Sequence, residues 1–189
     1  MAWQGRVIMM EQGIVYWITG LSGAGKTTLG KLLYDRIYQD KKNVFRLDGD
    51  IGRKAYLDNT GYTKEDRKKA AYRHSSVSKM IADQGIDVIC CTVSMFDEVR
   101  RWNRENFAKY VEIYLDVPME VLIQRDQKGL YSKVQDGKMQ DVVGMDLKLE
   151  LPKTPDIRIV NDGKLPAEEM FKIMWKEIQA VKEKKHYAE

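Results

Sequence analysis

Residues 20–27, Gly-Leu-Ser-Gly-Ala-Gly-Lys-Thr, carry the most specific chemistry in the chain. Gly20, Gly25, Lys26 and Thr27 satisfy the pattern G-x-x-x-x-G-K-[ST]. The glycines let the backbone N–H groups of the loop, from Gly20 through Ser22, Gly23 and Ala24 to Thr28, wrap an anion. A helix beginning near Lys26 would add its positive N-terminal end. In such a loop the lysine neutralises the β- and γ-oxygens of a nucleoside triphosphate, and the Thr27 hydroxyl can ligate Mg²⁺. The motif therefore predicts a loop that binds ATP or GTP. A GTPase would also need N-K-x-D for guanine, which does not occur. D-x-x-G does occur, at 58–61, 126–129 and 141–144, so that pattern discriminates little. At 189 residues the chain is too short for a large motor ATPase, leaving a small kinase.

A kinase needs an acceptor site, and the next candidates are Asp48 and Asp50 in Leu-Asp-Gly-Asp. They end a predicted strand (43–50), where open parallel sheets place their ligands. A carboxylate there can accept a hydroxyl proton or hold a metal through water; the residues alone do not say which aspartate is the base. Three arginines follow, Arg53, Arg67 and Arg73. A separation of six turns Arg67 and Arg73 about 120° apart on a helix, so both can border one cleft.

These residues must be positioned by alternating elements. Ile14–Thr19 is β-branched and aromatic, and Thr28–Gln39 places Leu29, Leu32, Leu33 and Ile37 at helical spacing. Thr63-Lys-Glu-Asp66 has the form of a capping box, predicting a helix from about Thr63 to a stop at Gly85. Strands are predicted at 86–94, 110–117 and 156–160. Helices are predicted at 97–107, from Pro118 to about Arg125, and after Pro166. The alternation predicts one α/β domain over 1–189, with a five-stranded parallel sheet flanked by helices. Residues 127–155 are polar, punctuated by glycine and long for a connection, which predicts a lid. Residues 1–12, with Met9 and Met10 as alternative starts, lack signal-peptide organisation and are read as an extension without assigned function.

Composition adds bounds. A formal charge of +4 suits a small anionic substrate and does not argue for a nucleic-acid polymer. The adjacent Cys90 and Cys91 lack metal-ligand spacing and read as buried reduced thiols of a cytoplasmic protein. No apolar run approaches the ~20 residues of a membrane span.

Five fragments, in order and spacing, resemble the adenylylsulfate kinase (APS kinase) family. They are GLSGAGKTTL (20–29), LDGD with Arg53, GYTKEDR (61–67), Val93-Ser94 after the third predicted strand, and RDQKGLY (125–131). The resemblance spans roughly Gly13 to Ile159. It implies a parallel α/β core that uses Mg·ATP to phosphorylate the 3′-hydroxyl of adenosine 5′-phosphosulfate, and a possible homodimer. It implies that Asp48 and Asp50 activate the hydroxyl and serve the metal, with Thr27 and Asp50 as its ligands. Arg53, Arg67, Arg73, Lys128 and Leu130 would bind the acceptor, with Tyr62 stacking on its base. Arg125 would lie against the ATP base. Ser94 matches a position assigned in some members as a phosphoserine, although direct in-line transfer already has its loop, metal and base. Lys128 and Tyr131 would ride on the closing lid.

The departures from that family cluster on the acceptor. Ile51 and Ala70 stand where asparagines are usual, Tyr72 where an arginine is usual, and Met95 where proline follows Ser94. Val142 replaces a stacking phenylalanine, and Gln135 a lid arginine. An aromatic partner contributes about 1–3 kcal/mol per stacked base. Because Arg53, Arg67 and Arg73 survive, the sequence is read first as acting on adenosine 5′-phosphosulfate; the alternative is the same chemistry on another nucleotide, such as cytidine diphosphoramidate of capsule modification. A rival of another class is an ATP-binding regulatory module without chemistry.

Overall fold

A strand in the middle of a parallel sheet is covered on both faces, and β1 (Val15–Gly20, VYWITG) is buried at every position. The computed structural model describes residues 11–55, 61, 63–126, 129–135 and 150–187, with the side chains of Leu130 and Gln135 left aside. Around β1 lie β2 (Val44–Asp48), β3 (Asp87–Thr92), β4 (Tyr110–Asp116) and β5 (Ile157–Val160), all parallel, in the order β2-β3-β1-β4-β5. The helices are α1 (Lys26–Asp40), α2 (Gly49–Ala55), α3 (Lys64–Ala82), α4 (Asp97–Asn106), α5 (Met119–Arg125), α6 (Leu130–Gln135) and α7 (Ala167–Lys184). The five-stranded α/β architecture expected from the alternation is therefore present.

Alternation along β1 divides the core. Tyr16 and Ile18 face a cluster completed by Leu29, Leu33 and Ile37 of α1 and Met170, Met174 and Ile178 of α7. Val15 and Trp17 face the other side, with Ala71 of α3 and Val99 of α4. α1 lies close on the sheet, because a Cβ on Gly30 would fall 2.3 Å from Cys91 Sγ. Both cysteines are free and buried, as expected, and burial raises the Cys91 thiol to about 12. No described helix is long and apolar enough to cross a membrane.

The caps follow the sequence closely. Thr63 Oγ1 accepts from the Asp66 N–H at 3.2 Å and donates to Asp66 Oδ2 at 2.7 Å, which starts α3. Two elements depart from the expectation. β2 ends at Asp48 rather than continuing to Asp50, and the chain turns directly into α2. Within the expected lid, α6 forms at 130–135. Both are short helices of seven and six residues, for which periodicity gives little signal.

One charged cluster is buried under α4. Glu112 of β4 is fully buried between Arg104, which pairs with it, and Arg100, whose Nε lies 3.6 Å away. Removal from water outweighs the two guanidinium groups and raises the Glu112 carboxyl to about 7.

Candidate active site

The phosphate loop leaves β1 at Gly20, where a Cβ would lie 2.9 Å from the Leu115 carbonyl oxygen of β4. Any larger residue would separate the two strands. It ends at Gly25, the residue before α1, with φ of 95° and no side-chain cap on the helix. That left-handed turn suits glycine, and it leaves the first N–H groups of α1 for a ligand.

The loop carbonyls face outward onto side chains. Lys26 Nζ donates to Leu21 O at 2.7 Å, and Tyr131 Oη donates to Ser22 O at 2.8 Å. Arg125 Nη1 donates to Gly23 O, and Asn161 Nδ2 to Ala24 O, both at 3.3 Å. Arg125 also donates to Asn161 Oδ1 at 2.9 Å, so the two side chains are locked together. They border a cleft of about 190 Å³ with Gly25, Thr28, Leu165 and Met170 among its walls. The cleft offers apolar surface beside the loop, the arrangement a nucleotide base requires.

Across the loop, Thr27 Oγ1 donates to Asp48 Oδ2 at 2.8 Å. Asp48 is buried at the end of β2, and its Oδ1 accepts the Asp50 N–H at 3.1 Å. Asp50 is exposed in the first turn of α2. The two candidate aspartates thus have different settings, and the carboxylate beside Thr27 belongs to Asp48, not to the Asp50 expected as the metal partner. The sequence reading extended β2 to Asp50, which would have carried both side chains forward; the turn into α2 separates them.

The remaining candidates are distributed as follows. Arg53 of α2 donates through both terminal nitrogens to Gly61 O at 3.2 Å, tying α2 to the residues before α3. Arg67 is half-buried and Arg73 exposed on α3. Ser94 is wholly buried; its Oγ has no hydrogen-bond partner among the described residues. The expected reactive or substrate-binding role would require this buried hydroxyl to become accessible to a phosphate. Met95 beside it is buried too. Tyr62, Lys128 and Val142 lie outside the described residues, as do the side chains of Leu130 and Gln135.

Tyr131, expected on the lid, is 2% exposed and bonded to the phosphate loop, and burial raises its phenol to about 12. Asp126 fastens this stem by accepting from the Tyr131 N–H at 2.9 Å and the Ser132 N–H at 3.1 Å. The departures on α3 are equally informative. Ala70 is buried, and Tyr72 packs edge-on against Trp102 of α4 with centroids 6.3 Å apart. Neither position presents an amide or a guanidinium.

Two participants escaped the sequence reading. Asn161 is one, although its place just after β5, at the carboxyl end of the sheet, was a usable signal. Arg100 is the other. It is 2% exposed and donates to Ser94 O at 3.1 Å and Glu150 O at 2.5 Å, and it pairs with Asp97. An arginine within Asp-Glu-Val-Arg-Arg-Trp-Asn-Arg resembles a solvated helix face, and nothing in that run marks its burial.

Comparison with known proteins accords with this geometry. The model of the family described as adenylylsulphate kinase matches residues 12–160. The chain is 38% identical over 170 residues to the cytidine diphosphoramidate kinase of Campylobacter jejuni, covering 90% of this chain and 99% of that protein. It is 40% identical over 151 residues to the adenylyl-sulfate kinase of Pseudomonas aeruginosa, covering 79% of this chain and 77% of that one. Among solved structures, the Mycobacterium tuberculosis APS kinase in complex with AMPPNP and APS superposes with a TM-score of 0.79. That pair shares 29% identity over 89% of this chain and 98% of the other.

Proposed function

This chain belongs to the adenylylsulphate kinase family and is an ATP-dependent nucleotide kinase, and from that premise we propose that it phosphorylates the 3′-hydroxyl of a cytidine nucleotide of the diphosphoramidate type. The observation that carries the reading is the acceptor side of α3, where Ala70 is buried and Tyr72 packs into the apolar cluster with Trp102. A site built for one base rejects others through paired polar groups, and the groups expected there for adenine are missing. The end-to-end similarity to the Campylobacter kinase supports the same acceptor. The retained Arg53, Arg67 and Arg73 suit any anionic tail and so are equally compatible with a second reading, adenosine 5′-phosphosulfate.

The geometry supports the following roles. Loop N–H groups and Lys26 receive the triphosphate, and Arg125 borders the base. Thr27 and Asp48, with oxygens 2.8 Å apart, fit Mg²⁺, which takes one or two protein oxygens and completes its shell with phosphate and water. When bound, Mg²⁺ offsets charge on the transferring phosphoryl group. Asp50, exposed in the first turn of α2, would orient the acceptor hydroxyl and take its proton. Arg53, Arg67, Arg73, Lys128, Leu130 and Tyr62 would hold the acceptor. The in-line transfer needs no phosphorylated intermediate on Ser94, whose hydroxyl is buried.

An ATP-consumption assay with Mg²⁺ and a panel of cytidine, uridine and adenosine nucleotides tests the proposal. Turnover on cytidine diphosphoramidate with little on APS is expected. Turnover on APS alone would establish the second reading, and ATP binding without transfer to any nucleotide would remove both.

A further inference from the structure

Four consecutive carbonyls of the phosphate loop, Leu21 to Ala24, are each held by a different side chain. Lys26 belongs to the loop itself; Tyr131, Arg125 and Asn161 come from segments at least 102 positions further along the chain. A planar trans peptide points its N–H and C=O in opposite directions. Drawing the Ser22 and Ala24 carbonyls outward therefore turns the Gly23 and Gly25 N–H groups inward. Glycine-rich backbone has many accessible conformations, so the side chains behind the loop select one of them.

We infer that Tyr131 and Asn161 are positioning residues for the donor phosphates, acting through the carbonyls of Ser22 and Ala24. The inference rests on the kinase reading above. Both side chains are buried, at 2% and 4% exposure, so water does not readily replace their bonds. Asn161 is over-determined: its Oδ1 accepts from Arg125 at 2.9 Å and from the Gly163 N–H at 3.2 Å, and its N–H donates to Asp116 O at 2.8 Å. It therefore couples the loop to the base-side Arg125, whereas among the described residues the Tyr131 hydroxyl bonds the loop carbonyl alone. Two separable effects follow. Tyr131 should govern the phosphates alone; Asn161 should govern the phosphates and the base together.

Calorimetric titration with AMPPNP and with inorganic tripolyphosphate, both with Mg²⁺, separates the two. Y131F removes one hydroxyl and should weaken both probes equally, by roughly three- to tenfold. N161A should weaken AMPPNP more than tripolyphosphate, because the Nη2 of Arg125 loses its Asn161 partner as well and keeps only the contact with Gly23 O. N161D keeps an acceptor for Arg125 but sets a carboxylate oxygen against Ala24 O. It should recover discrimination for AMPPNP over tripolyphosphate without recovering tripolyphosphate affinity. If N161A does not fold, the near-isosteric N161D and Y131F decide the matter. Y131F and N161D with wild-type affinity for both probes, whatever their melting temperatures, would overturn the inference. A wild-type protein that binds neither probe would overturn the kinase reading instead.

Discussion

The donor half and the acceptor half of this site are built on different principles. The donor half is the contiguous run 20–27, from the last residue of one strand into the first turn of one helix, and its loop carbonyls are tied down by surrounding side chains. Its shape is a property of local backbone chemistry, reinforced from behind. The residues proposed for the acceptor have no such unit. Asp48 ends β2, Asp50 and Arg53 lie on α2, and Arg67 and Arg73 lie on α3, so only tertiary packing could gather them at one acceptor. A site assembled from separate elements can change one wall without disturbing another. The departures at Ile51, Ala70 and Tyr72 leave the phosphate loop untouched, which is how a single phosphoryl-transfer apparatus can serve different nucleotides.

Breaking the donor half should produce the largest loss. Lys26→Ala removes the loop's charged partner for the β/γ oxygens, and turnover should fall by at least about 10³-fold, since donors aimed at transition-state charge carry most of such catalysis. Activity near wild type in a steady-state assay would refute the assignment. Asp48→Asn tests the seam between the halves, because Asp48 meets Thr27 on one side and the Asp50 N–H on the other. We expect kcat to drop by at least about 10-fold, and raised Mg²⁺ should restore part of it. Restoration by Mg²⁺ in Asp50→Asn but not in Asp48→Asn would reverse their roles.

The acceptor half alone should respond to Arg53→Ala. Loss of a charge-assisted contact of about 1.5–3 kcal/mol raises the acceptor KM roughly ten- to a hundredfold, with the KM for ATP unchanged. A matching rise in both would show that the halves are not independent.

The smallest effect on turnover, and a distinct one on stability, is expected at Glu112, remote from the loop. Its carboxyl is raised from the ordinary 4.5 to about 7 by burial. The folded state therefore binds the proton more tightly than the unfolded chain. Its contribution is fully present below about pH 4.5 and is lost as pH rises through 7. Relative to wild type, Glu112→Gln should gain stability across that window by on the order of 3 kcal/mol. Urea midpoints at pH 5 and pH 8 measure the trend; a pH-independent difference between the two proteins would show that Glu112 stays ionised beside Arg104.

Much of the fold was legible because its signals are local. β1, α1, the Thr63 cap and the strand order of events along the chain follow from hydrophobic period and turn chemistry, which short windows contain. The phosphate loop was legible for the same reason. α2 and α6 were not, since six or seven residues are too few to establish a helical period. The burial of Ser94 was not legible either, because a serine after a strand reads alike whether it opens onto a cleft or lies beneath one.

By itself, then, the sequence determined that this chain holds a nucleoside triphosphate on a parallel α/β frame, because strand, glycine loop, lysine and helix are contiguous. Only the tertiary structure decided that Asp48 rather than Asp50 meets Thr27, and that Tyr131 and Asn161 stand behind the loop. Those contacts join residues 21, 109 and 137 positions apart. No local pattern encodes a meeting at that separation; it exists only once the sheet has set the register of its strands and the helices have closed over it.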